Sequence, residues 1–461
     1  MISSGQSCRV AAVRSWQAAG LACLLAALPL QGLSAQNAGR IPFETYTLPN
    51  GLRVVLSEDH STPVVTVNVW YHVGSANERV RRSGFAHLFE HMMFQGSAHV
   101  RKAEHFQRIA RAGGGMSGST TADRTNYFET LPSNRLNLGL WLEADRMRSL
   151  AITQENFENQ RQAVKEERRL RVDNQPYQRV IQDALTMPFD SSGCFAYAHT
   201  TIGDMADLDS ARLEDVQAFF RQYYAPNIAA VAIVGDFDPA EARRLVEQYF
   251  GDVPRVEDPA PVRCEGGTPL PRRVEVTDNN ANLALVLFGY RVPAVSDADA
   301  PALSLLTSIL TGGESSRLNL RLVRQERAAV AAQGIPFLQR AAGLILVFGV
   351  ANQGVQPARI EQLLSEEIDR ARNEAVSDAE LAKARNQYRA GAIRSRQTTQ
   401  GVAEELQSAL RMYGSLDAAN TEIDRYMAVT TADLRRVAQR YFTPENRLTV
   451  IVNPPARGGS N

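Results

Sequence analysis

Two histidines and a glutamate fall within five positions, His87-Leu88-Phe89-Glu90-His91, and these are side chains that hold a metal ion and move a proton. On a helix, positions i, i+3 and i+4 lie within an arc of about 100°, so the three side chains share one face. Neutral imidazole is a good ligand for Zn²⁺, and a catalytic zinc keeps three protein ligands with a fourth position open to water. Glu90, between the two histidines, is placed to take the proton of such a water. The common zinc-protease helix reads HExxH, whereas the order here is inverted, HxxEH. A lone histidine on an apolar helix is ordinarily a core or capping residue, so the motif needs a third ligand to carry weight.

The third ligand is sought in Val164-Lys165-Glu166-Glu167-Arg168-Arg169-Leu170, part of a charged, helix-favouring run from Gln154 onward. Glu167 lies 76 residues beyond His91. With the flanking phrases GFAHLFEHMMFQGS, STTADRTNYFETLP and QRQAVKEERRLRVDNQPY, the motif and this spacing resemble the pitrilysin-type metallopeptidases, the inverzincins that include the mitochondrial processing peptidase. The resemblance runs from about Phe43 to Pro454. It implies that His87, His91 and Glu167 bind one Zn²⁺ per chain, that Glu90 is the general base, and that the reaction is endoproteolysis. Glu166 then becomes a solvated or supporting neighbour. Many relatives carry a glutamate seven residues before the third ligand; Gln160 stands there and cannot share proton transfer, so Glu90 holds the base role alone and Gln160 reads as a helical surface residue.

The elements that must position these groups are written twice. Asp215 to Asn227 is an amphipathic helix with a proline stop, followed by the apolar strand AAVAIVGD; 218 residues later Asp433 to Pro444 repeats the pattern before RLTVIVNP. Gly51 to Val73, opening on an Asn50-Gly51 turn, is matched by Arg272 to Val292 around Asp278-Asn279-Asn280. The Pro- and Gly-rich stretch 254–271 reads as a linker between domains 36–253 and 272–461. The expected fold is α+β: two homologous domains, each a mainly antiparallel sheet packed against helices, arranged, as the resemblance implies, as half of a clamshell. At the repeat offset, His87, Glu90 and His91 correspond to Leu305, Ser308 and Ile309, and Glu167 to Arg385, or to Gly391 if a small insertion is allowed. The second domain therefore keeps the fold without the metal.

Composition narrows the remaining classes. The chain has 461 residues, 44% hydrophobic and 22% charged, enough for two to three domains with substantial cores. Its formal net charge is zero, and no long basic run appears, which argues against nucleic acid as a partner. Arg9 and Arg14, the apolar segment Ala18 to Leu30 and the Leu33-Ser34-Ala35 site read as a signal peptide over residues 1–35. The apolar core is shorter than the roughly 20 residues a span needs, so no stable membrane span is expected and the mature chain belongs in the periplasm. Loss of Cys8 and Cys23 leaves Cys194 and Cys264, which prove neither a disulfide nor a metal role; free thiols are the default.

Substrate handling falls to Ser117, Gly118, Ser119 and Thr120. They follow Gly113-Gly114-Gly115 and look like the family's edge strand, whose main chain pairs with an extended peptide. Tyr127 and Phe128 read equally well as sheet core. In the family, the second domain of an active unit presents an arginine and, seven residues later, a tyrosine that steadies the oxyanion. Arg324 matches the arginine, but Ala331 stands at the tyrosine position. The resemblance thus implies the zinc-bearing member of a pair whose metal-free homologue supplies arginine and tyrosine; a homodimer is the alternative. Two other readings stand beside the peptidase. One is a catalytically silent interaction subunit, against which all four site residues argue. The other is a structural zinc protein, which would want four closed ligands.

Overall fold

The Asn50-Gly51 pair turns the chain between β1 (Glu44–Thr47) and β2 (Arg53–Glu58). Gly51 takes φ +94°, a left-handed value that glycine adopts freely. The Asn50 amide donates to the carbonyls of Phe250 (2.7 Å) and Val253 (2.9 Å), which fixes the turn to the end of the domain. The computed structural model describes residues 39–456; the signal peptide read over residues 1–35 lies outside them. Among the described residues no helix is long and apolar enough to cross a membrane.

β3 (Val64–Tyr71), β4 (Gly115–Thr120), β5 (Thr125–Pro132) and β6 (Ala229–Gly235) complete a six-stranded sheet in the order β1-β2-β6-β3-β5-β4. Only β2 and β6 run parallel. β7 (Arg272–Thr277), β8 (Leu285–Val292), β9 (Ala329–Leu338), β10 (Gly343–Ala351) and β11 (Arg447–Asn453) form a second sheet, β7-β11-β8-β10-β9, with only β7 and β11 parallel. Leaving β1 aside, the two orders are the same, and β6 and β11 start 218 residues apart, as the repeat requires.

Each sheet buries one face under its own helices. Val65, Val67, Val69 and Tyr71 alternate along β3 and pack with residues of helices Phe85–Met92, Leu136–Ser149, Gln154–Arg168, Leu213–Tyr223 and Pro239–Phe250. In the second half Val286, Phe288 and Tyr290 of β8 do the same with helices Ala300–Thr311, Pro357–Asn373, Asp378–Ser395 and Thr431–Tyr441. Leu305 and Ile309, at the positions of the two histidines, are buried in that core.

The opposite faces are covered by exchange. The helix Thr399–Ser408 lays Ala403 and Leu406 on Val55, Ala230 and Val234 of the first sheet, and the Gln407 amide donates to the carbonyls of Asn68 (3.0 Å) and Ala230 (2.9 Å). In return the helix Gln178–Thr186 and the segment after it set Val180, Ala184 and Tyr197 against Leu285, Leu346 and Val450 of the second sheet. Residues 41 onward accordingly form one unit.

Cys194 and Cys264 are not free thiols. They form a disulfide, with Cα atoms 4.1 Å apart. The segment 254–271 runs back along the Pro188–Cys194 stretch, with Glu265 N donating to Gly193 O (2.9 Å) and Thr268 N to Pro188 O (3.1 Å). That docking, which residue spacing does not reveal, brings the sulfurs together.

Candidate metal centre

The helix that carries the motif begins at Gly84, in a left-handed conformation (φ +86°), which has no side chain to cap it. Glu78 does so from outside: its carboxylate accepts from Gly84 N (2.9 Å) and Ala86 N (2.7 Å). His199 faces three acceptors, Phe195 O at 2.7 Å, Ser75 O at 3.0 Å and Glu78 Oε2 at 3.0 Å. Burial alone would lower the His199 pKa, but the bonds to Glu78 and the two carbonyls raise it above the ordinary value. Burial raises the pKa of Glu78, against the lowering effect of His199. Phe85, Leu88, Phe89 and Met92 anchor the other side of the helix, Phe89 stacking on Phe219 at 5.2 Å.

Glu167 reaches this helix from near the end of Gln154–Arg168, whose N-terminus Thr153 caps by accepting from Asn156 N (3.2 Å). Glu167 Oε2 lies 3.2 Å from His91 Nε2 and 3.7 Å from His87 Nε2, and donor atoms of the three residues lie within 4.8 Å of one another. Its Oε1 is held by the Arg171 guanidinium at 2.6 Å. Burial, then the neighbouring His91, pushes His87 down to about 4, so it is a neutral nitrogen donor. Its Nδ1 is buried without a hydrogen-bond partner. Two imidazoles and one carboxylate this close suit the chemistry of Zn²⁺, whose nitrogen and oxygen ligands sit about 2 Å from the ion.

Glu90 stands beside this cluster. Burial raises its pKa, while Thr120 Oγ1, donating at 2.7 Å, orients one carboxylate oxygen and lowers it. Thr120 and Gly118 lie on the same face of β4, the edge strand of the sheet. A Cβ on Gly118 would come within 3.4 Å of Glu90 Cγ and 3.1 Å of Tyr127, so the glycine lets the strand approach the carboxylate. Ser117 and Ser119 alternate to the other face, where Ser119 Oγ donates to Asn126 Oδ1 (2.8 Å) and Arg124 Nη1 donates to Ser119 O (2.7 Å). Thr120, expected only to meet substrate, also bonds Glu90, and its two-residue step from Gly118 is the signal in the sequence that places both on one face.

Other candidates fall away from the cluster. Glu166 is exposed and paired with Arg169 at 3.0 Å. Gln160 is not a surface residue: it is buried, with its amide donating to Asn159 Oδ1 at 2.7 Å, because this side of the helix packs inward. Arg324 lies in the π-helical turn Asn319–Gln325, exposed and paired with Glu314, and nothing among the described residues connects it to the histidines. Ala331 sits on β9 opposite Val350. Tyr127 is core, its hydroxyl donating to Phe89 O at 3.3 Å. A second group, His105, Glu129 and Glu143, is fully buried. Arg146 is ion-paired with Glu143 and lies 3.8 Å from Glu129; a guanidinium already supplies the cation there.

Residues 53–193 match the family model described as insulinase (peptidase family M16), and residues 210–388 match the one described as the peptidase M16 inactive domain. The zinc protease PqqE of Helicobacter pylori (strain ATCC 700392 / 26695) is 30% identical over 419 residues, which covers 89% of this chain and 93% of the relative. The chain belongs to the M16 peptidase family. Its M16 relatives include the mitochondrial-processing peptidase subunit beta of Blastocladiella emersonii, 25% identical over 421 residues and 88% of each chain. The crystal structure of a protease from Helicobacter pylori superposes with a TM-score of 0.84 at 28% identity, covering 90% of this chain and all of that one. The fold is thus the α+β half-clamshell of M16 peptidases, and relatives named zinc proteases support a peptidase. The inactive-domain description falls on the later part of the chain, where the motif is absent.

Proposed function

We propose that this chain is a zinc-dependent endopeptidase and the zinc-bearing subunit of a dimer. The observation that carries the reading is the convergence of His87, His91 and Glu167, with Glu90 oriented by Thr120 of an edge strand beside them. Zn²⁺ bound by those three residues would supply Lewis acidity, lowering the pKa of water and polarising a carbonyl. Glu90 takes the proton from the attacking water and passes it to the leaving amine, and its burial raises its basicity for that task. The main chain of Ser117 to Thr120 pairs with an extended peptide and places the scissile carbonyl beside Glu90.

Arg324, exposed and paired with Glu314, and Ala331 at the tyrosine position both suit a divided active site in which a metal-free homologue completes the oxyanion contacts. The signal peptide and the Cys194–Cys264 disulfide together favour an oxidising compartment, the periplasm. The matching strand orders support domains at 36–253 and 272–461 about a 254–271 linker.

The test is hydrolysis of a mixed quenched-peptide library by the purified mature chain, alone and with its candidate homologue. Turnover that needs the partner and vanishes in Glu90→Gln, with zinc retained, supports the proposal. Equal turnover without the partner removes the divided site, and no turnover in any combination shifts the function to a silent interaction subunit.

A further inference from the structure

We infer that a cavity at the seam of the two halves is a binding site for a compact polyanion of the phosphate class. The cavity measures about 570 Å³, and its walls include Arg53, His72 and Asn227 from the first half and Arg340, Arg411 and Tyr413 from the second, with no carboxylate among its lining residues. That volume is in the range of small-molecule sites and well above what a single water or halide needs.

The fold holds the Arg411 guanidinium and the Arg340 backbone there, while the Arg53 and Arg340 side chains are exposed at the mouth. The turn joining β4 to β5 and its repeat counterpart, joining β9 to β10, meet at this point: Arg340 N donates to Asp123 Oδ2 (3.0 Å), and Ala341 N donates to the Tyr197 hydroxyl (3.0 Å), which itself donates to Asp123 Oδ1 (2.9 Å). Arg411 spans the same seam, with Nε donating to Asp123 O (2.8 Å) and Nη2 to His72 O (3.2 Å). The carboxylate of Asp123, the nearby acid, thus has both oxygens engaged by a backbone amide and a tyrosine. The Arg53 and Arg340 guanidiniums make no ion pair or hydrogen bond among the described residues. A second carboxylate, Asp258, approaches through Asn227 Nδ2 (2.7 Å) and pairs with Arg255, which leaves the Arg53 and Arg340 guanidiniums as the cations of the cavity with no carboxylate partner among the described residues.

The neighbouring groups register the same imbalance. Burial, then Arg411, Arg53 and Arg340, pushes the His72 imidazole down to about 3. It therefore stays neutral, and its Nε2 is buried without a partner. Burial and the adjacent Arg340 bring Arg411 itself down to about 10. Planar guanidinium forks match phosphate oxygens two at a time, and tetrahedral oxygens can be shared among forks arriving from different directions. Because the cations come from both halves, the ligand also ties the halves together.

The experiment is titration calorimetry and thermal unfolding of the full mature chain with pyrophosphate, at about 0.15 M salt so that diffuse attraction is screened. Tricarballylate serves as the carboxylate arm. Arg53→Gln and Arg340→Gln are the informative variants, since neither guanidinium holds the fold together. Saturable binding that raises the melting temperature, weakened about tenfold or more in each variant and markedly weaker for tricarballylate, is the expected result. Absence of binding, equal binding by the double variant (the outcome if pyrophosphate only met a bound metal), or equal affinity for tricarballylate overturns the assignment. Peptidase activity does not enter the readout, so the outcome is independent of the proposed function.

Discussion

The helices Phe85–Met92 and Ala300–Thr311 occupy equivalent places in two sheets of the same strand order, yet one presents His87, Glu90 and His91 where the other presents Leu305, Ser308 and Ile309. The second helix is wedged by apolar side chains into its core, with Leu305 and Ile309 2% and 6% exposed. The first gives up that packing on one face and gathers half-buried polar groups that need outside support: Glu78 at its start, Arg171 behind Glu167, Thr120 against Glu90. A duplicated scaffold can thus keep one copy as a plain structural unit and let the other carry the unfavourable burial that reactivity needs.

The largest contrast is expected between Glu90→Gln and Ser308→Ala. The first is expected to lower turnover by about 10²–10⁴-fold, the usual range for a general base, while the second leaves turnover within about twofold; peptide hydrolysis measures both. Next, Leu305→Ala is expected to cost about 3 kcal/mol of stability, whereas His87→Leu in chelator-treated protein is neutral or stabilising, since an apolar side chain replaces a half-buried imidazole whose Nδ1 has no hydrogen-bond partner. Denaturant titration decides, and equal losses at both positions would end the argument that the first helix trades packing for chemistry.

The outside support for the first helix is tested by His199→Gln, which keeps a donor but leaves buried Glu78 without its cationic partner, at about 2 kcal/mol. The His199 pKa is raised in the folded state, so its contribution is fully present below its unfolded value, near 6.5, and fades as pH rises through the higher folded value. The gap between wild type and variant should therefore be wider at pH 6 than at pH 9. The smallest effect expected is from Gly118→Ala: the added Cβ presses on Tyr127 and the Asn126 carbonyl, lowering kcat/KM by about threefold to tenfold through misplacement of the strand.

Much of this was legible from residue order. The i, i+3, i+4 spacing put His87, Glu90 and His91 on one helix face, the 218-residue repeat announced two sheets, and the family resemblance of the run after Gly113-Gly114-Gly115 announced a strand at an edge. What stayed hidden depends on segments far apart in sequence meeting in space. The Cys194–Cys264 bond follows from the linker docking back on the first half, and Gln160 is buried because of how its helix packs, which a polar side chain on a charged helix conceals. Glu78 and His199 lie 121 residues apart, so no local pattern pairs them.

The exchanged helices also set the timetable of folding. The first sheet obtains the cover of its second face from residues 399–408, and Asn68 waits for Gln407, 339 residues downstream. During synthesis, the first half emerges with an apolar sheet face that nothing yet made can shield, and the closing contacts have very high sequence separation. Such a chain matures late and all at once, so it stays threadable for most of its synthesis and reaches its working form only when nearly complete.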